Sequence, residues 1–200
     1  MTAGRNRNFD KEKALKEAMW VFWQNGFPGT SLSDLTSAMG INKSSLYAAF
    51  GNKEALFNQV IEYYLNKHGT IHSAELNKTK YSLKERIRNY LYSIAEMLSD
   101  PRLPKGCLIC LSTSEMAGDC LPEDSIAKVT AINHETLASL TAFFDNEKQA
   151  GNVSDSLISK TMADYLLTLQ FGLAVSARNG SDSEQLKATI ELAIRGQFDD

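Results

Sequence analysis

Two hundred residues with 43% hydrophobic content are ordinary for a globular protein and give room for a small domain riding on a larger one. A net charge of −3 argues, taken whole, against a nucleic-acid partner, yet residues 1–53 hold seven basic and four acidic side chains, a net of +3 that leaves −6 on the rest. The longest late apolar stretch, Tyr165 to Ala177, falls short of the roughly 20 residues a membrane-crossing helix needs, so a membrane partner is not expected.

The first residues hold no apolar run ending in a cleavage site, so a cytoplasmic protein is expected. Strand signals are absent, and the chain reads as all-α. Leu15, Ala18, Met19 and Phe22 share one helical face, which Gly26 ends and Phe27 folds back upon. A second helix starts at Ser31, whose capping box closes on Asp34, and runs to about Met39 before Gly40. Asn42 caps a third, KSSLYAAF, which stops at Gly51; Asn52 caps a fourth with Phe57, Val60, Ile61 and Tyr64 on its face. Further helices are predicted near 82–99, 106–117, 123–149, 156–178 and 183–195. The expected division is a helix-turn-helix domain over 1–52 and a larger helical domain for effector binding and dimerisation over 53–200.

The informative stretch is SLSDLTSAMGINKSSLYAAF, a short helix, a turn at Gly40 and a second short helix. Leu35, Ala38, Ile41 and Leu46 are spaced to pack the two together, with Ala38 small at the crossing, which is helix-turn-helix spacing. The second helix then points Asn42, Lys43, Ser44 and Ser45 outward, side chains able to reach base edges and phosphates from a major groove.

The run from Ala14 to Tyr64 resembles the DNA-binding domain of the tetracycline-repressor (TetR) family of bacterial regulators. Its marks are Phe22, Gly26, Phe27, Thr30 and Ser31, then Ala38, Gly40, Ile41, Lys43, Ser44, Leu46, Tyr47 and Phe50, then Asn52, Lys53, Glu54 and Leu56. The resemblance implies operator contacts from Thr30, Lys43, Ser44, Tyr47 and Lys53, with the last two on phosphates. It also implies a homodimer that a small-molecule or electrophile effector releases from double-stranded operator DNA. With the residues read directly, the candidate DNA-contacting set is Thr30, Ser31, Asn42, Lys43, Ser44, Ser45, Tyr47 and Lys53.

In the C-terminal part, Ile158, Met162, Tyr165, Leu169 and Gly172 step by four and three, and Leu186, Ile190 and Ala193 continue the scheme. They form the expected dimer interface, against the alternative of a stripe buried within one subunit. Tyr63, Tyr90, Tyr92, Met97, Met116, Phe143 and Phe144 are candidates to line an apolar pocket, with Glu96, Glu115 or His134 as polar fixtures. His68 and His72 have the spacing of a metal pair but lack a third ligand nearby, so they read as a solvated helix end, and neither metal nor cofactor is expected.

Cys107, Cys110 and Cys120 lie within fourteen positions, too few and too odd in number for a disulfide framework. Cys107 is expected to start a helix behind Lys105 and Gly106, where the dipole and the cation favour thiolate. Some TetR-family members resembling this segment sense electrophiles through a cysteine there. Against that stands the plain reading of each cysteine as a small apolar residue. No nucleophile elbow, phosphate-binding loop or zinc-protease motif is present, so an enzyme is not expected, and the remaining rival is a helical adaptor module.

Overall fold

The computed structural model describes residues 9–118 and 120–195, and every described regular element is helical. In chain order these are α1 (Lys11–Asn25), α2 (Leu32–Met39), α3 (Lys43–Phe50), α4 (Lys53–Tyr64), α5 (Leu83–Ser99), α6 (Leu108–Met116), α7 (Glu123–Gln149), α8 (Ser159–Arg178) and α9 (Ser183–Ile194). The architecture is an N-terminal helix-turn-helix head followed by a larger helical body. Among the described residues no helix is long and apolar enough to cross a membrane.

Local chemistry sets the early boundaries. Asp10 caps α1, and Ser31 with Asp34 closes a reciprocal box on α2. Asn42 and Asn52 accept from the backbone N–H groups of Ser45 and Ala55, each at 2.8 Å. Gly40 ends α2 at φ 64°, a left-handed conformation that any Cβ would strain.

Two apolar clusters form the interior. The first joins α1–α4 through Met19, Phe22, Trp23, Leu35, Leu46, Phe57 and Tyr64, and takes in Leu108, Ile109 and Val129 from the body. The second joins α5, α8 and α9 with Leu140 and Phe144 of α7. Met97 and Cys107, both partly buried, touch the two clusters and mark the seam between them. The division expected at residue 52 cuts the first cluster, because Phe57 of α4 lies 4.9 Å from Phe22 of α1, ring to ring.

Several expectations on faces need correction. Ala38 is exposed; Leu35 and Met39 are the buried positions of α2. Leu186 and Ile190 of α9 are fully enclosed in the second cluster of their own subunit, so they cannot also form a surface between subunits. Between α4 and α5 the chain does not fray: a π turn over Leu65–Gly69 leads into a 3-10 turn over His72–Asn77.

Candidate nucleic-acid interface and the cavity behind it

The start of α3 is a solvent-facing polar edge on an apolar base. Lys43 and Ser44 are exposed, as is Tyr47, while Leu46 and Phe50 of the same helix are buried. Asn42 is exposed too, and its Oδ1 also accepts from the Ser44 hydroxyl at 2.7 Å, so cap and neighbour are held together at the helix tip. Ser45 is half-buried and its N–H serves that cap. Ser31 is exposed at the tip of α2, where its hydroxyl donates to Asp34 Oδ2 at 2.6 Å.

One of the expected contacts is placed otherwise. Thr30 is only 2% exposed and its hydroxyl donates to the Gly26 carbonyl at 2.6 Å, so its side chain stabilises the turn and does not face a partner. Lys53, first residue of α4, lays its ammonium 4.1 Å over the Phe27 ring. Burial lowers its pKa while the Glu115 charge opposes that shift.

Head and body are bonded at both ends of α6. At the N-terminal end, the Trp23 indole donates to the Gly106 carbonyl at 3.1 Å. Arg178, last residue of α8, donates to the carbonyls of Trp23 at 3.1 Å and Gln24 at 2.6 Å. Those carbonyls belong to the last turn of α1, the negative end of its dipole, and α1 has no basic residue of its own there. At the other end, Glu115 Oε2 accepts the Phe27 N–H at 3.2 Å. A Cβ on Gly26 would meet Glu115 Oε1 at 1.9 Å, so this contact requires the glycine, whose φ is 73°. Glu115, expected as a pocket fixture, is therefore a contact to the head.

A partly open cavity of about 120 Å³ lies at the seam of the two clusters. Tyr64, Met97, Cys107 and Cys110 line it with His68, His72, Tyr90 and Gln170. Of the aromatic and methionine candidates only Tyr90 and Met97 reach it. Phe143 instead lies 5.2 Å from the Arg86 guanidinium, and His134 is exposed on α7. Glu96 pairs with Lys187, and the Tyr92 hydroxyl donates to Glu191.

Cys107 is half-buried at the N-cap of α6, and the Tyr64 hydroxyl donates to its sulfur at 3.3 Å. Lys105, the expected neighbouring cation, instead donates to the Ser99 carbonyl at 2.7 Å. Burial, aided by Cys107, pushes the Cys110 thiol up to about 11, so near neutral pH it is a protonated, unreactive group. Cys120 is exposed, away from the cavity. His72, far from being solvated, is 5% exposed, with Nδ1 2.5 Å from the Ser93 hydroxyl. No group of three or more His, Cys, Asp or Glu side chains converges as metal ligands among the described residues.

Comparisons with known proteins agree with this geometry. Residues 14–60 match the profile of bacterial regulatory proteins of the tetR family. The chain is 31% identical to the HTH-type transcriptional repressor ComR of Escherichia coli K12, over 96% of this chain and 90% of that protein. It is 28% identical to the repressor BdcR of the same organism, over 95% and 90%. A cysteine mutant of the TetR family transcriptional regulator CifR, solved with 26-bp double-strand operator DNA, superposes with a TM-score of 0.83 at 32% identity, covering 96% of this chain and 99% of that one. The reduced form of Escherichia coli NemR shares the fold, with a TM-score of 0.76 at 22% identity over 91% and 93%. This chain belongs to the tetR family of bacterial regulatory proteins, and is a DNA-binding transcriptional regulator and not an enzyme.

Proposed function

We propose that the protein is a homodimeric repressor that acts in the cytoplasm, holds a two-fold operator through the tip of α3, and lets go when a small molecule or a thiol-reactive compound reaches the cavity at Cys107. The observation carrying the DNA reading is the polar edge of α3, with Lys43, Ser44 and Tyr47 outward above Leu46 and Phe50. It is supported by the operator-bound relative that matches along nearly the whole chain. One such helix buries too little surface for tight binding, whereas two on a two-fold axis read half-sites about one helical turn apart.

The proposed dimer face lies on the outer sides of α8 and α9. Ile158 and Gly172 from the expected stripe are exposed, and Met162, Tyr165, Leu169 and Ala193 are half-buried at its edge. In place of the enclosed Leu186 and Ile190, the outward apolar positions are Val175, 50% exposed, and Leu192, 66% exposed. A Cβ at Gly172 would meet nothing within 4 Å, which leaves room for a partner helix to approach closely. Of the three thiols Cys107 is the proposed sensor, since it lines the cavity, caps α6 and is not sealed in as Cys110 is.

Sequencing the genomic fragments retained by the purified protein tests the reading. A palindromic operator is expected, together with steeply salt-dependent binding. Absence of any enriched fragment overturns repression and favours the adaptor. Mass spectrometry after limited quinone treatment, paired with operator binding by Cys107→Ser and Cys110→Ser, tests the thiol arm. Release that persists in the double variant leaves the reversible ligand as the signal.

A further inference from the structure

The reading of the cavity as the effector site is the premise here; the chemistry of its wall narrows what it accepts. Among the described lining residues there is no Asp, Glu, Lys or Arg. The two histidines are held toward the neutral form, His68 by burial and the charge of Lys16, His72 by burial against the opposing His68 carbonyl. A charged guest would therefore enter without a counter-ion, at a large desolvation cost. At about 120 Å³ the space is of the order of the cavity of about 150 Å³ that accommodates benzene in an engineered protein core, so a small ring compound fits it.

The wall is not uniformly apolar. Two buried polar atoms have no partner, His72 Nε2 and Gln170 Nε2, and both residues line this same cavity. The amide nitrogen of Gln170 is a donor. His72 Nδ1 and the Ser93 hydroxyl share a hydrogen bond whose direction follows the ring tautomer, so Nε2 is a donor in one tautomer and an acceptor in the other. A buried donor left unpaired, as at Gln170, is costly, and an acceptor oxygen in the cavity can relieve that cost. His72 also opens the 3-10 turn that follows the π turn at the end of α4, so a guest beside it bears on the segment joining head to body.

We propose that the cavity binds a small uncharged carbonyl compound, of the size of a five-membered ring ketone, whose oxygen accepts from Gln170 Nε2 beside His72. Binding is reversible and independent of the thiols.

Cyclopentanone is the probe, and methylenecyclopentane and cyclopentylamine are its apolar and cationic counterparts. Each is tested at millimolar concentration by thermal shift and operator binding, on wild type and on the Cys107→Ser/Cys110→Ser double variant. Cyclopentanone is expected to raise Tm and weaken operator binding in both proteins, with the other two binding about tenfold or more weaker. Gln170→Leu, checked for helical content, should lose about tenfold in cyclopentanone affinity, and His72→Phe, checked likewise, less than that. Equal binding of the hydrocarbon, tighter binding of the cation, or no binding of cyclopentanone to wild type overturns the proposal. If either variant fails to fold, the ketone-against-hydrocarbon comparison on wild type still decides. The thiol-reactive 2-cyclopentenone separates the two kinds of signal, since only its covalent effect should vanish in the double variant. Operator binding without a ketone response defeats this inference and leaves repression standing; a ketone response in a protein that retains no DNA does the reverse.

Discussion

The head and the body are built from the same kind of amphipathic helix, but they use its faces differently. In α3 one side is core and the other is polar edge, with Leu46 enclosed and Lys43 in solvent. In α8 and α9 two sides are apolar, one for the subunit's own interior and one outward, as Ile190 at 0% and Leu192 at 66% exposure make plain. A helix with one apolar face can be oriented by its spacing alone. One with two cannot, because spacing gives a stripe without saying which neighbour it meets.

The largest effect should come from the body's interior. Arg86 and Glu147 form a buried two-bond pair, at 3.0 and 2.7 Å, which Asn152 completes. Arg86→Ala leaves the carboxylate enclosed and should cost about 3–5 kcal/mol in urea unfolding. Burial raises the Glu147 pKa, but the bonds from Arg86 and Asn152 outweigh it and hold the carboxyl below its ordinary 4.5. The folded pKa is the lower one, so this stability is present above 4.5 and lost as pH falls through the folded value. A pH series on wild type should show that loss, and Arg86→Ala should flatten it.

Next is the contrast within α9. Ile190→Ala should cost about 2–5 kcal/mol, whereas Leu192→Glu should leave each subunit folded within about 0.5 kcal/mol. By sedimentation Leu192→Glu should shift a dimer to monomer and weaken operator binding. A monomeric wild type would show that the outward face is not a contact between subunits. At the junction, Gly26→Ala should destabilise by about 1–3 kcal/mol through the collision with Glu115, and Glu115→Ala should relieve part of that, the positive φ accounting for the remainder. The smallest stability effects belong to the head's surface. Lys43→Ala and Tyr47→Phe should stay within about 0.5 kcal/mol of wild type in unfolding while weakening operator binding. Lys53→Ala should lower the slope of log K against log salt by about 0.9. Unchanged DNA binding in all three would sink the assignment of α3.

The head was legible in the sequence because its signals are local. The Ser31 box, the Asn42 and Asn52 caps and the glycines at 26, 40 and 51 each act within a few residues, and each falls where expected. Thr30 was misplaced because a threonine in a turn reads the same whether its hydroxyl faces solvent or, as here, the carbonyl four residues back. In the body, helix bounds could be read but not partners. His68 and His72 fit a continuing helix, and the change to π and then 3-10 turns that buries His72 has no sequence mark strong enough to betray it. Gln170 lies in an apolar run with nothing local to mark it, and Arg178 serves carbonyls 155 and 154 residues away, a reach that no local spacing signals.

That reach across the chain bears on inheritance. Arg178 and Glu115 grip the head by its main chain, at the carbonyls of Trp23 and Gln24 and the N–H of Phe27, and require only that Gly26 leave space. A backbone grip is indifferent to the side chains carried beyond it. Descendants of this chain can therefore rewrite the outward Asn42, Lys43, Ser44 and Tyr47, and with them the DNA they address, while the fastening that lets the body answer for the head stays unaltered.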